Sequence, residues 1–153
     1  MNYLKTGIAL LFLAFLINVP LHAQTAARLE ALLNTPELTW SQAAAFILEA
    51  SETQSRGDAF QYAAEQKWLP KNAASGDKVR LKGAALLLMR SFNLKGGLIF
   101  MLSKNPHHAY RALVYKNVIR GNVDPDMPVS GSELLLMINR IFSIKEKEGK
   151  AAK

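Results

Sequence analysis

The chain has 153 residues, half of them apolar, with a formal net charge of +7 and no cysteine. That composition bounds it to one modest domain with a real core, and it excludes a disulfide framework, acylation at a cysteine and a thiol nucleophile. The basic excess suits anionic polymers, anionic lipid head groups or acidic protein faces; solubility alone is the competing explanation for it.

Residues 1–23 read as a cleavable export signal. Lys5 supplies the N-terminal positive charge, and Gly7 to Val19 form a 13-residue run interrupted only by Asn18. Spanning a bilayer takes about 20 apolar residues, so the run fits a signal core better than a membrane span. Pro20 breaks the helix, and Leu21-His22-Ala23 sets a small residue before the expected cut, so the mature chain begins at Gln24. A cut after Ala27 and an uncleaved anchor are the alternatives. An exported chain without cysteine points to a bacterial periplasm or cell surface. Cleavage removes Lys5 and no acid, taking the charge from +7 to +6.

The mature domain is expected over residues 24–144. Ala26 to Asn34 predicts a short amphipathic helix, with Ala26, Leu29, Leu32 and Leu33 on one face, Thr25 as its N-cap and Pro36 beyond its end. Thr39-Trp40-Ser41-Gln42 forms a capping box that opens a second helix expected to run to Gly57. Asp58 caps a third, whose apolar stripe continues to Trp68. Pro70 to Lys78 is a polar loop. Leu81 to Phe92 is apolar and helix-prone, and Asn93 to Gly97 closes it with residues that tolerate positive φ. Leu98 to Leu102 is a helical turn or a strand, which periodicity does not decide. Pro106 begins a helix through Val118, and Gly121 to Pro128 is a turn-rich loop. A second capping box, Ser130 to Glu133, opens the last helix. Residues 145–153 predict a disordered basic tail. No segment alternates like a strand, so the expected fold is all-α.

An offset of 50 residues aligns Asp58–Phe92 with His108–Phe142 without a gap. Ala59, Asn72, Val79, Leu86, Arg90 and Phe92 meet identical residues at Ala109, Asn122, Val129, Leu136, Arg140 and Phe142. A third, abbreviated copy appears when Leu38 is set on Val79 and Val129, because the helices that follow share their apolar columns. Arg90 and Arg140 hold one repeat position and are candidates to brace neighbouring helices. Three such helix–loop–helix units resemble the S-layer homology family, over roughly Ala26 to Phe142 and most closely over Ala109–Phe142. The resemblance implies a three-pronged helical bundle that attaches envelope proteins to anionic cell-wall polysaccharide. At the position of that family's ligand-reading arginine this chain carries Trp40, Leu81 and Gly131. An anion would then be held at the helix starts, aided by Arg80 and Lys82.

Candidate chemistry is sparse. His107 and His108 are adjacent and point apart on a helix, so no metal site is expected. Asp124 and Asp126 flank Pro125, where forming a turn explains them better than a cation does. Scattered carboxylates and the lack of a phosphate loop or nucleophile elbow predict a non-catalytic protein without a cofactor. Little interleaving of aromatic and basic residues argues against nucleic acid as a partner. Trp40 and Trp68, at helix ends, either stack on a sugar face or pack in the core. The apolar runs Leu86–Met89 and Leu134–Ile138 either fill the bundle or expose a seam for a partner. The expected binding set is therefore Trp40, Trp68, Arg80, Lys82, Ser130 and Glu133. Cell-wall polysaccharide is the expected partner, and another envelope protein docked in an apolar groove is the alternative.

Overall fold

The computed structural model describes residues 21–53, 57–96, 103, 105–121 and 123–151. Within them the chain is all-α, with six helices and no strand: α1 Leu21–Leu33, α2 Trp40–Ala50, α3 Ala59–Glu65, α4 Leu81–Ser91, α5 Pro106–Tyr115 and α6 Gly131–Ala151. Two compact units are distinguished, residues 1–31 and 32–153. The first is described only along α1, and the core and cleft belong to the second.

Helix starts follow local chemistry. The Gln42 amide oxygen accepts from the Thr39 N–H at 3.0 Å, and the Thr39 hydroxyl accepts from the Gln42 N–H, closing the expected capping box of α2. Asp58 Oδ1 accepts from Gln61 N–H at 2.9 Å to start α3, and Asn105 does the same for His107 ahead of Pro106 in α5. At α6 the Glu133 carboxylate accepts from the Ser130 N–H at 2.9 Å, the second capping box. Removing one such hydroxyl leaves a helix-end donor without its acceptor, so Thr39→Ala is expected to lower stability by about 1 kcal/mol in urea unfolding.

Helix ends repeat in matched pairs. α2 and α4 each run 11 residues and stop where Glu52 and Asn93 turn left-handed, at φ 55° and 49°. Thr53 N–H then donates to Leu48 O, as Leu94 N–H does to Met89 O. α3 and α5 stop at Lys67 and Asn117, both at φ 57°, with Trp68 N–H on Ala63 O and Val118 N–H on Leu113 O, each at 2.9 Å. Each bond closes the last turn on an orphan carbonyl.

The segments before α2, α4 and α6 meet in a closed ring of backbone hydrogen bonds. Leu38 N–H donates to Val129 O at 2.9 Å, Val129 to Val79 O at 3.0 Å, and Val79 to Leu38 O at 2.8 Å. Two residues on, Trp40 donates to Asp77 O, Leu81 to Met127 O and Gly131 to Thr35 O, all at 3.0 Å. Buried backbone polar groups need partners, and here three segments remote in sequence supply one another's. Leu38, Val79 and Val129 are themselves fully buried at the centre.

Around this ring α2 packs on α3, α4 and α6, and α4 packs most extensively on α5. The core includes Ile47, Leu48, Leu87, Leu88, Met89, Leu113, Leu134, Ile138 and Ile141. α4 is buried from Leu81 through Met89 apart from half-buried Lys82, so the run Leu86–Met89 fills the bundle. Arg140 braces α6 by donating to Val118 O at 2.7 Å. Half-buried Arg90 stands at the matching position of α4.

Several boundaries differ from expectation. Thr25 lies inside α1 rather than capping it, because the Ala- and Leu-rich sequence on either side sustains the helix. α2 ends at Ala50, not near Gly57, once Glu52 turns left-handed and Ser51 and Thr53 join hydroxyls at 2.8 Å. α3 ends before Trp68, and α5 ends at Tyr115 rather than Val118. The tail expected to be disordered from residue 145 is helical through Ala151. Its Lys, Glu and Ala residues favour helix, Lys150 pairs with Glu146 at 2.6 Å one turn away, and Glu148 approaches Lys116 at 4.0 Å. Of the expected export signal only Leu21, His22 and Ala23 are described, and Leu98–Leu102 lies outside the described residues.

Candidate functional site

Where the loop before α4 crosses the start of α2, a cleft of about 530 Å³ opens to solvent. Trp40, Pro70, Ala73, Gly83 and Pro128 line its apolar part, and Lys78, Arg80 and Lys82 bring three cations to it along with Glu37, Asp77 and Asn72. The backbone explains the cluster. Val79 is drawn into the central ring, leaving its neighbours Lys78 and Arg80 exposed, and Lys82 follows in the first turn of α4.

Trp40 is 4 % exposed, so its indole is a wall of the core that shows one edge to the cleft. Gly83 makes room for it: a Cβ there would stand 2.7 Å from Trp40 Cη2. The third residue of the capping-box pattern, Gln42 in α2 and Glu133 in α6, is thus replaced in α4 by the one side chain that admits the indole. Arg80, the residue before α4, makes no side-chain cap.

All three cations are already engaged. Lys78 pairs with Glu37, Lys82 Nζ lies 2.5 Å from Asp126 Oδ1, and Arg80 Nη1 donates to the Asp126 carbonyl oxygen at 2.8 Å. Asp126 is itself held in a turn by Asp124, whose Oδ1 accepts from its N–H at 2.8 Å. The Lys82 ammonium, followed by Arg80 and His107, holds the Asp126 carboxyl below its ordinary range, against a smaller opposing effect of desolvation.

Of the six expected binding residues the structure gathers Trp40, Arg80 and Lys82 at this cleft. Trp68 does not line it; that side chain is half-buried and packs edge-on to Tyr62 at 5.8 Å. Ser130 and Glu133 are spent on each other, the hydroxyl and the carboxylate lying 2.9 Å apart. Nor are the helix starts free to receive an anion. The N–H groups of Trp40, Leu81 and Gly131 are taken by the central ring, and those of Ser41 and Lys82 by Ser75 O and Pro125 O. Trp40, Leu81 and Gly131 are buried, Trp40 and Leu81 by packing and Gly131 against the Leu32 carbonyl.

Sequence reasoning missed Lys78 and Glu37 and read Asp126 only as a turn residue. Lys78 could have been found from its place beside buried Val79, since flanking residues of an extended strand point away from the core. Glu37 reaches the cleft, and Asp126 its cations, only through tertiary structure. Comparison with protein-family models, with curated proteins and with solved structures finds no match for the chain.

Proposed function

We propose that the chain is an exported, non-catalytic protein of a bacterial envelope, built of three repeats like those of the S-layer homology family, whose cleft binds anionic cell-wall polymer. The cleft carries this reading: an apolar wall of Trp40 and prolines beside the cations Lys78, Arg80 and Lys82 matches a sugar face bearing negative charge. Side chains on the rim, not helix termini, read the anion. The repeat interpretation is supported by the closed ring through Leu38, Val79 and Val129 and by the paired helix ends. Export rests on residues 1–23, and the periplasm or cell surface is where such a polymer is met. No helix of the described residues is long and apolar enough to cross a membrane. No cofactor and no nucleic acid enter the reading.

Sedimentation of purified protein with cell-wall sacculi across a salt series tests it. Binding should be retained at low salt and fade as salt screens the rim. Arg80→Ala should weaken retention about threefold or more, with an unchanged circular dichroism spectrum. Failure to sediment at low salt ends the glycan reading. It would leave the second one, a scaffold docking another envelope protein through apolar side chains, which the exposed Leu136 and Phe142 of α6 favour.

A further inference from the structure

From the contacts of the cleft's cations we infer that Asp126 is an internal competitor of its ligand: the carboxylate occupies the place of the ligand's anionic group, and a saccharide binds by exchanging its own carboxylate or phosphate for it. The inference deepens the glycan reading above and rests on it. Asp126 meets two of the three rim cations at once, Lys82 through its side chain and Arg80 through its main-chain oxygen. It reaches them from the turn before Pro128, a segment tied to α4 by Leu81 N–H on Met127 O and Lys82 N–H on Pro125 O. The internal acid is therefore held in register with the cations by backbone rather than by chance side-chain encounter. Both partners are part-exposed, 37 % for Lys82 and 47 % for Asp126, so the pair is screened and weak enough to be displaced.

Two consequences for selectivity follow. A neutral sugar offers Lys82 nothing to replace the carboxylate, so it leaves the pair intact and gains only its contacts with the apolar wall. An anionic sugar restores the lost pairing and adds its contacts with the apolar wall. Asp126 thus lowers affinity for charged glycans and leaves that for neutral ones untouched. The acid is part-exposed and makes the turn with its main-chain N–H, so Asp126→Asn keeps the turn and the Arg80 contact while removing the competing charge.

Titration of purified protein with polygalacturonate, a carboxylate polysaccharide, and with neutral dextran decides the point. Asp126→Asn should bind polygalacturonate about threefold more tightly at low salt, the scale of one exposed ion pair. The gain should vanish in the Lys82→Ala background, and dextran should bind none of these proteins more tightly. Glu49→Gln, which removes an equal charge from the exposed side of α2, serves as control and should change nothing. Unchanged or weaker binding by Asp126→Asn, or an equal gain in Glu49→Gln, overturns the inference and leaves the cleft reading standing. Absence of polygalacturonate binding by wild type and Asp126→Asn alike, joined to failure with sacculi, overturns both.

Discussion

Gly131→Ala is expected to destabilise the domain by about 3 kcal/mol, because the new methyl has no room that side-chain movement could provide. A Cβ at Gly131 would stand 1.7 Å from the Leu32 carbonyl oxygen and 2.5 Å from its carbon. Relief requires displacing main chain, and the main chain concerned also accepts the Gly131 N–H at Thr35 O, 3.0 Å away, in the central set of bonds. Steric conflict and the loss of a buried hydrogen bond therefore arrive together. Gly149, in the same helix, has nothing within 4 Å of the point where an alanine methyl would stand, so Gly149→Ala should instead add about 0.5–1 kcal/mol of local helix stability. Urea unfolding of both variants checks the pair. Equal effects would mean that Leu32 does not close on α6 as described.

Gly131 also shows how far the sequence could be read. The capping boxes at Thr39 and Ser130, the all-α class and the registers Leu38, Val79 and Val129 are local or repeating signals, and the structure carries each of them. Gly131, by contrast, occupies a repeat position filled by Trp40 and Leu81, and nothing in its own neighbourhood says that a carbonyl from residue 32 fills its place. The same holds for the cleft. Arg80 and Lys82 are visible in the sequence as cations beside a motif, while the acid that neutralises them comes from Asp126, more than 40 residues away. Helix ends fall away from expectation where Glu52, Lys67 and Asn117 adopt positive φ, since these residues carry a weaker stop signal than the glycine expected in such places. Ser130 and Glu133 suit both a cap and a binding site by sequence. Their mutual hydrogen bonds make them a cap.

The 50-residue offset sets up the sharpest contrast between sequence identity and structural context. Leu86 and Leu136 are the same residue at positions that this offset aligns, yet Leu86 is 3 % exposed and Leu136 is 51 % exposed. The difference lies in their surroundings: α4 is packed by both α2 and α5, whereas α6 turns this face outward. Leu86→Ala should therefore lose the transfer energy of a buried side chain and leave a void in the core, costing about 3 kcal/mol and lowering the melting temperature by roughly 10 °C. Leu136→Ala should cost less than about 0.5 kcal/mol, because water already reaches half of its surface. Thermal melts of the two variants beside wild type measure the contrast directly. If Leu136→Ala proved as costly as Leu86→Ala, its side chain would have to be covered in solution, and the outer face of α6 would then be the protein-docking surface rather than a free flank. A small effect of Leu136→Ala, with full retention on sacculi, would leave the cleft as the surface through which the domain is held.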